Sequence, residues 1–178
     1  MLRYIYVPFV DPGIQNQSKG LSATGQIFNR CYYDPKKVPQ LRWLSRFNQL
    51  YVVGHGAPGA DGIYDNQGHM ISVTDLADRL VTEGVSKNQR LIKLWACSGG
   101  AGGKNSTAYK FLTALRGLGF EKVVVQSYTA SVTNTWKGHK RAVLTTTVME
   151  DAEDGSGPQP RVVENYDTSA SQVRVEFS

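Results

Sequence analysis

Two residues with useful chemistry at neutral pH, His55 and Cys97, each follow a short apolar run and precede glycine-rich turns. The first stretch reads LYVVGHGAPG from residue 50, and the second reads LIKLWACSGG from residue 91. A cysteine attacks as the thiolate, and a neighbouring imidazole can hold the proton or stabilise the anion. The pair therefore predicts nucleophilic catalysis, provided that the fold brings the two side chains to one place.

Three apolar runs and two amphipathic patterns surround these residues. The runs cover 49–53, 90–96 and 121–128, and the helical patterns cover 73–84 and 107–119. Alternating strands and helices favour parallel βαβ units with both faces of the sheet covered. We therefore expect an α/β fold, a three-layer α/β/α sandwich with a mostly parallel sheet of five or six strands. Open α/β sheets place their sites at the carboxyl ends of strands, where both chemical residues would lie.

The remaining segments complete one domain over 1–178. Residues 13–34 show no clear period and are predicted as loop. A proline predicts a short helix over 39–47, and turn residues predict a hairpin over 62–71. The acidic and then Gly/Pro-rich stretch 151–160 is predicted as an exposed loop between β-prone segments. The apolar contacts expected of the short helix are Leu41, Trp43, Leu44 and Phe47.

The glycines also suggest two nucleotide-binding motifs, and this chain lacks a defining feature of each. A dinucleotide fingerprint requires a helix to begin within G-x-G-x-x-G, but Pro58 and the hairpin pattern follow here. A P-loop requires G-x-x-x-x-G-K-[ST], but Ser98 takes the place of the first glycine and Asn105 follows Lys104. Phosphate binding at the helix start after these glycines stays open.

Composition predicts an ordinary soluble protein with a formal net charge of +5. No apolar stretch is long enough for a membrane span, and the N-terminus does not resemble a secretory signal. We expect a cytoplasmic protein, or one exported by a route that uses no cleaved signal. Cys31 and Cys97 match no zinc spacing, so no metal is expected. The spread of basic residues predicts neither a nucleic-acid nor a membrane partner.

The two stretches resemble the caspase-like cysteine peptidases of clan CD, which include caspases, legumain, gingipains, clostripain, separase and the self-cleaving cysteine protease domains of RTX toxins. Their shared pattern is an apolar strand ending in His-Gly, followed by an apolar strand ending in Ala-Cys or Gly-Cys. LYVVGHG and LIKLWACSGG fill both blocks in that order, 42 positions apart. The toxin domains are the most similar in the order of hairpin, helix and strand.

The resemblance implies a cysteine endopeptidase that acts on a protein or peptide through a thioester. It assigns His55 as the catalytic histidine, Cys97 as the nucleophile, and Gly56 with the Cys97 amide as the oxyanion hole. The histidine protonates the leaving amine, and no third acidic member is required. Two other functions stay open from the residues themselves. One is deamidation or acyl transfer on a partner protein, and the other is a non-catalytic anion-binding or scaffold module.

Specificity and regulation are predicted from the same resemblance. The caspase motif Q-A-C-[RQG]-G has glutamine where this chain has Trp95, which argues against aspartate specificity. Trp95 and Ser127 are the candidate substrate-pocket residues. Several of the toxin domains are activated by inositol hexakisphosphate, and a basic run with Lys137, Lys140 and Arg141 is the candidate polyanion site. No other cofactor is expected.

Overall fold

The structure, a computed structural model, describes residues 2–22, 27–134, 140–151, 158–165 and 168–178. Its strands are β1 (Arg3–Val7), β2 (Ile27–Tyr32), β3 (Gln49–Val53), β4 (Gly62–Tyr64), β5 (Met70–Ser72), β6 (Leu91–Trp95), β7 (Val124–Tyr128), β8 (Ser131–Asn134), β9 (Lys140–Asp151), β10 (Pro158–Asn165) and β11 (Arg174–Phe177). Its helices are α1 (Pro12–Ser22), α2 (Val73–Thr82) and α3 (Thr107–Gly117), with short 3₁₀ turns over Gly103–Asn105 and Ala170–Val173. No helix in this described part is long and apolar enough to cross a lipid bilayer.

Six strands form the central sheet in the order β2-β1-β3-β6-β7-β11. The first five run parallel, and β11 is antiparallel to β7. Four of the five residues in each of β1, β3 and β6 are buried, which is typical of strands covered on both faces. The structure thus confirms the prediction of an α/β fold with a mostly parallel sheet of six strands.

Helices cover both faces of this sheet. Side chains alternate between the two faces along a strand, and Val53 lies opposite Trp95 on one of them. Both residues line a pocket with Leu21 of α1, so α1 lies on that side of the sheet. On the other face, the Tyr6 hydroxyl donates to the Glu83 carboxylate just past α2 over 3.0 Å. The helix α3 packs beside α2, so these two helices form the opposite layer.

Serine side chains cap the start of α2 and of α3. The Ser72 hydroxyl accepts from the Asp75 amide over 3.0 Å, and the Ser106 hydroxyl accepts from the Tyr109 amide over 3.2 Å. Each cap satisfies an amide that the start of a helix leaves without an intrahelical partner. The buried side chains of the two helices include Leu76, Ala77, Leu80, Ala108, Phe111, Leu112 and Leu115.

The loop predicted over 13–34 is wrong, because α1 and β2 occupy most of it. The sequence of α1 contains one proline, two glycines and few strong helix formers, so its intrinsic helix propensity is low. Tertiary contacts stabilise it instead. Ile14 and Leu21 are buried on one side of the helix, and the Asp11 carboxylate accepts from the Gly13 amide over 2.6 Å.

The helix predicted over 39–47 is also wrong, because this segment forms turns. The Leu44 amide donates to the Leu41 carbonyl over 2.9 Å, which closes a four-residue β-turn. The Leu41 amide donates out of the segment to a carbonyl past the end of α2 over 2.7 Å, and this tertiary bond competes with a helix. Leu41 and Leu44 are buried as expected, whereas Trp43 and Phe47 are exposed.

The loop predicted over 151–160 is too long at both ends. The strand β9 continues to Asp151, β10 begins at Pro158, and these two residues are paired in an antiparallel ladder. Residues 152–157 lie outside the described part of the chain. The prolines of β10 did not prevent strand pairing, because β10 lies at the edge of the three-stranded sheet β10-β9-β8. A missing N–H costs little on an edge strand.

Candidate active site

The pairing of β3 with β6 places His55 level with Cys97. In the parallel register Val53 lies opposite Trp95, and the Gly54 amide extends the ladder by donating to the Trp95 carbonyl over 3.2 Å. All pairs between these strands differ by 42 positions, which is also the separation of His55 and Cys97. The two residues therefore leave neighbouring strands at the same height, at the carboxyl edge of the sheet.

Gly56 allows the two loops beyond these strands to approach closely. A Cβ atom at Gly56 would lie 2.5 Å from the Cys97 carbonyl oxygen and 2.9 Å from the Ala96 Cβ. Contacts this short exclude any side chain at this position. Within the described residues, the amides of Gly56 and Cys97 donate to no protein acceptor. The backbones of Gly56 and Cys97 approach each other closely here, so their N–H groups are candidate donors to a carbonyl oxygen as it becomes negative.

His55 and Cys97 line a single pocket of about 430 Å³. Both side chains are half-buried, so they are shielded and still accessible from the pocket. The pocket also takes residues from the sheet, from α1 and from β8; among them are Asn16, Gln17, Leu21, Val53, Trp95, Val132 and Thr133. Its volume falls within the range of small-molecule and peptide side-chain pockets.

The orientation of the His55 ring is fixed by the β4–β5 hairpin. The His55 amide donates to the Tyr64 carbonyl over 2.8 Å, and the Tyr64 amide donates back to His55 over 3.0 Å. The ring Nε2 donates to the Asn66 side-chain oxygen. In a neutral imidazole one nitrogen carries the hydrogen and the other accepts. Since Nε2 is the donor, Nδ1 is the atom that can take up or deliver a proton.

Asp11 holds the backbone of Asn66 in place. Its carboxylate is buried and accepts from the Asn66 amide over 2.9 Å, in addition to its bond with Gly13 at the start of α1. A Cβ atom at Gly13 would lie 2.0 Å from the Asn66 side-chain nitrogen, so the glycine makes room for the asparagine. Asp11, which immediately precedes α1, and Asn66, which lies in a turn, are polar residues of types common at such positions. They lie 55 positions apart, and no local pattern links them.

Cys97 has an accessible sulfur at the start of a strained turn. Its thiol donates to the Val132 carbonyl of β8 over 3.7 Å. The next residue, Ser98, has a φ of 53°, in the left-handed region that residues other than glycine seldom adopt. The Ser98 amide donates to the Ala130 carbonyl over 3.0 Å, which contributes to holding this conformation. Backbone strain of this kind concentrates at functional sites.

Gly99 and Gly100, the first two glycines after Cys97, pack against the sheet, and their amides bond within the protein. The Gly99 amide donates to the Ala96 carbonyl over 3.3 Å, and the Gly100 amide donates to the Tyr128 carbonyl over 2.8 Å. A Cβ atom at Gly100 would lie 2.4 Å from a Val175 methyl group. These amides are engaged within the protein and are not available to an anion.

The two predicted substrate-pocket residues lie in different places. Trp95 lines the pocket, and its ring meets Tyr128 edge to face with centroids 4.9 Å apart. Ser127 is fully buried, and its hydroxyl donates to the Leu94 carbonyl over 3.0 Å. It precedes Tyr128 on β7, so its side chain points to the opposite face of the sheet. Ser127 therefore bonds to β6 on the face of the sheet away from the pocket, and it does not line the pocket.

The predicted polyanion cluster is described only in part. Lys137 lies outside the described residues, and Lys140 is the first residue of β9. Arg141 is partly buried and lies opposite Thr133 in the β8–β9 ladder. Because Thr133 lines the pocket, the backbone of Arg141 lies one strand away from it.

Fold and site together define an α/β domain with an imidazole and a thiol at the carboxyl edge of adjacent parallel strands. A family model described as "Domain of unknown function (DUF8616)" matches residues 29–139, which is more than half of the chain and includes both reactive residues. The chain belongs to the DUF8616 family. A comparison with curated proteins finds no match.

Proposed function

We propose that this protein is a cysteine endopeptidase with a caspase-like, three-layer α/β/α fold. Cys97 is the nucleophile, His55 is the proton carrier, and the amides of Gly56 and Cys97 bind the oxyanion. The observation that carries the proposal is the β3–β6 register, which brings the His-Gly and Ala-Cys blocks level at one pocket. The clan CD resemblance adds support, since it requires these blocks on apolar strands in this order.

In the first step, the Cys97 sulfur attacks the carbonyl carbon of a peptide bond bound in the pocket. Its thiol proton passes to Nδ1 of His55, and the carbonyl oxygen becomes an oxyanion facing the two free amides. The carbon–nitrogen bond then breaks as His55 delivers the proton to the leaving amine. The amine product departs, and the acyl part stays on Cys97 as a thioester.

In the second step, water attacks the thioester carbon and gives a proton to Nδ1 of the neutral His55. The carbon–sulfur bond breaks, and the leaving sulfur takes that proton back from the imidazolium. The carboxylic acid departs, and the thiol and imidazole return to their starting forms. Because Nε2 is bonded to Asn66, Nδ1 carries the proton in both steps of this proposal.

Covalent labelling tests this proposal directly. A panel of peptide acyloxymethyl ketones, varied in the residue before the warhead, should add one inhibitor mass, mapped by peptide sequencing to Cys97. Cys97→Ala should abolish the adduct. Cys31→Ala is the matched control, because burial raises the pKa of the Cys31 thiol, an effect reinforced by the charge of Glu83. The Cys31→Ala variant should be labelled to the same extent as the wild type.

The proposal would be refuted if labelling persisted in Cys97→Ala, or if none of the peptide ketones modified the wild-type protein. A separate assay distinguishes the reaction class once Cys97 is shown to react. Incubation with protein substrates followed by mass spectrometry should reveal new chain termini. A one-dalton gain on a side chain with intact backbones would assign the same residues to a deamidase instead.

A further inference from the structure

Residues 41–47, here called the arginine–aromatic loop, expose two large rings that their sequence pattern would place in a core. Leu41 and Leu44 point inward and are buried. Trp43 is 76% exposed and Phe47 is 54% exposed. Burying aromatic rings of this size is strongly favourable in free energy. Rings that stay exposed therefore commonly mark a contact surface.

Three arginines surround the two rings. The Arg42 guanidinium lies 4.6 Å from the centroid of Trp43. Arg46 and Arg90 lie 4.7 Å and 5.3 Å from the centroid of Phe47. In the described part of the chain, none of these arginines forms an ion pair with a carboxylate. The surface is therefore both apolar and cationic, with its positive charge left uncompensated.

This surface lies at the edge of the sheet opposite the candidate active site. The loop leads into β3 at Gln49, and Arg90 immediately precedes β6. These are the amino ends of the strands whose carboxyl ends lead to His55 and Cys97. Leu2 extends the surface, because it is partly exposed and its amide donates to the Asn48 side chain over 3.2 Å. A partner bound here would leave the pocket open.

We propose that the arginine–aromatic loop binds the surface of a lipid bilayer that contains anionic lipids. Trp and Phe side chains enter the boundary between headgroups and acyl chains, and arginines bind lipid phosphates and are attracted by the negative surface potential. The charge of the loop complements such a surface, and Trp43 at its tip is the ring positioned to enter it. The proposal does not depend on the peptidase chemistry at Cys97.

Single-stranded nucleic acid is the competing anionic partner, and the ring geometry argues against it. Such strands bind by stacking bases on open aromatic faces. Here guanidinium groups lie over both rings, with two arginines at Phe47. The bases would have to displace these arginines, whereas lipid phosphates would be bound by the guanidinium groups where they already lie.

Vesicle co-sedimentation tests the proposal with the full chain. The protein should sediment with vesicles of phosphatidylcholine containing roughly 30% phosphatidylserine and stay in solution with phosphatidylcholine alone. Arg42→Glu with Arg46→Glu should weaken binding by at least about 25-fold, from roughly fivefold for each arginine near the membrane surface. The control pair Lys36→Glu with Lys104→Glu makes the same change in net charge at exposed positions past the carboxyl ends of β2 and β6, and should weaken binding by only about threefold.

Tryptophan fluorescence adds a readout for insertion. Anionic vesicles should shift the emission of the wild type to the blue, and Trp43→Phe should lose most of that shift while it still sediments. The proposal is overturned if anionic vesicles do not bind the protein, or if the loop and control pairs weaken binding equally. It is also overturned if the loop variants abolish binding of a single-stranded RNA oligonucleotide but leave vesicle binding unchanged.

Discussion

Replacing Lys93 by methionine should stabilise the protein, and more so at neutral than at alkaline pH. Lys93 lies in β6 and is 7% exposed, and its ammonium nitrogen is 3.4 Å from the Tyr51 hydroxyl. Burial lowers its pKa to about 8, with further lowering from the charges of Arg174 and Arg3. Methionine keeps the unbranched shape and removes the charge.

The size of the effect follows from the difference between the folded and unfolded pKa of Lys93. Between the folded pKa of about 8 and the ordinary value of 10.5, the unfolded chain keeps a proton that the folded protein has lost. Raising the pH in this window therefore favours the folded state. With about 1.4 kcal/mol per pKa unit, the penalty from Lys93 is about 3 kcal/mol at pH 7 and about 1 kcal/mol at pH 9.5.

Urea denaturation of wild type and Lys93→Met at several pH values between 7 and 9.5, under reducing conditions, measures this penalty. The advantage of the variant in free energy of unfolding should shrink by about 2 kcal/mol across the range. Taking the difference between the two proteins removes the shared contribution of Cys31, whose pKa burial raises. Lys36→Met, at an exposed site, should change stability by less than about 0.5 kcal/mol at every pH.

An advantage that stays constant with pH, or a variant less stable than wild type at pH 7, would contradict this reasoning. The first result would mean that Lys93 titrates alike in both states. The second would mean that its ammonium group stabilises the sheet through interactions that outweigh its burial.

Two substitutions probe the site itself through the hydrolysis of a fluorogenic peptide chosen by the labelling panel. Gly56→Ala introduces a Cβ atom 2.5 Å from the Cys97 carbonyl oxygen, so the loops must separate and kcat should fall by about 100-fold or more. The control is Gly117→Ala, because an added Cβ there meets nothing within 4 Å. Equal losses of kcat in the two variants would refute the argument from close approach. Asn66→Ala should lower kcat about tenfold with little change in KM, because it releases the His55 ring without touching substrate. Asn66→Asp should retain activity and shift the acid limb of the pH–activity profile to higher pH. If both variants gave the profile of the wild type, Asn66 would have no role in positioning His55.

The central part of the sheet was predictable because its strands and helices are locally unambiguous. Most residues of the runs at 49–53 and 90–96 are apolar and buried, and Ser72 and Ser106 stand where a helix start needs an acceptor. Parallel pairing of strands joined by helices then places the chemical residues at one edge. Each of these inferences needs only neighbouring residues.

The errors fall where tertiary contacts outweigh local preference. The helix α1 forms from poor helix formers because Ile14 and Leu21 are buried against the sheet. The arginine–aromatic loop has helical spacing, yet the Leu41 amide bonds outside its own segment and Trp43 turns outward. The link from Asp11 through Asn66 to the imidazole joins three distant segments, so no sequence window contains it.

The most direct test of the central claim is to incubate the protein with a complex peptide mixture and to identify the new peptide termini by mass spectrometry. Wild type and Cys31→Ala should generate the same cleavages, with a common residue preference that reflects the pocket at Trp95, and Cys97→Ala and His55→Ala should generate none. Cleavage that survives the loss of Cys97, or its absence from wild type after Cys97 has been shown to be reduced, would contradict the account.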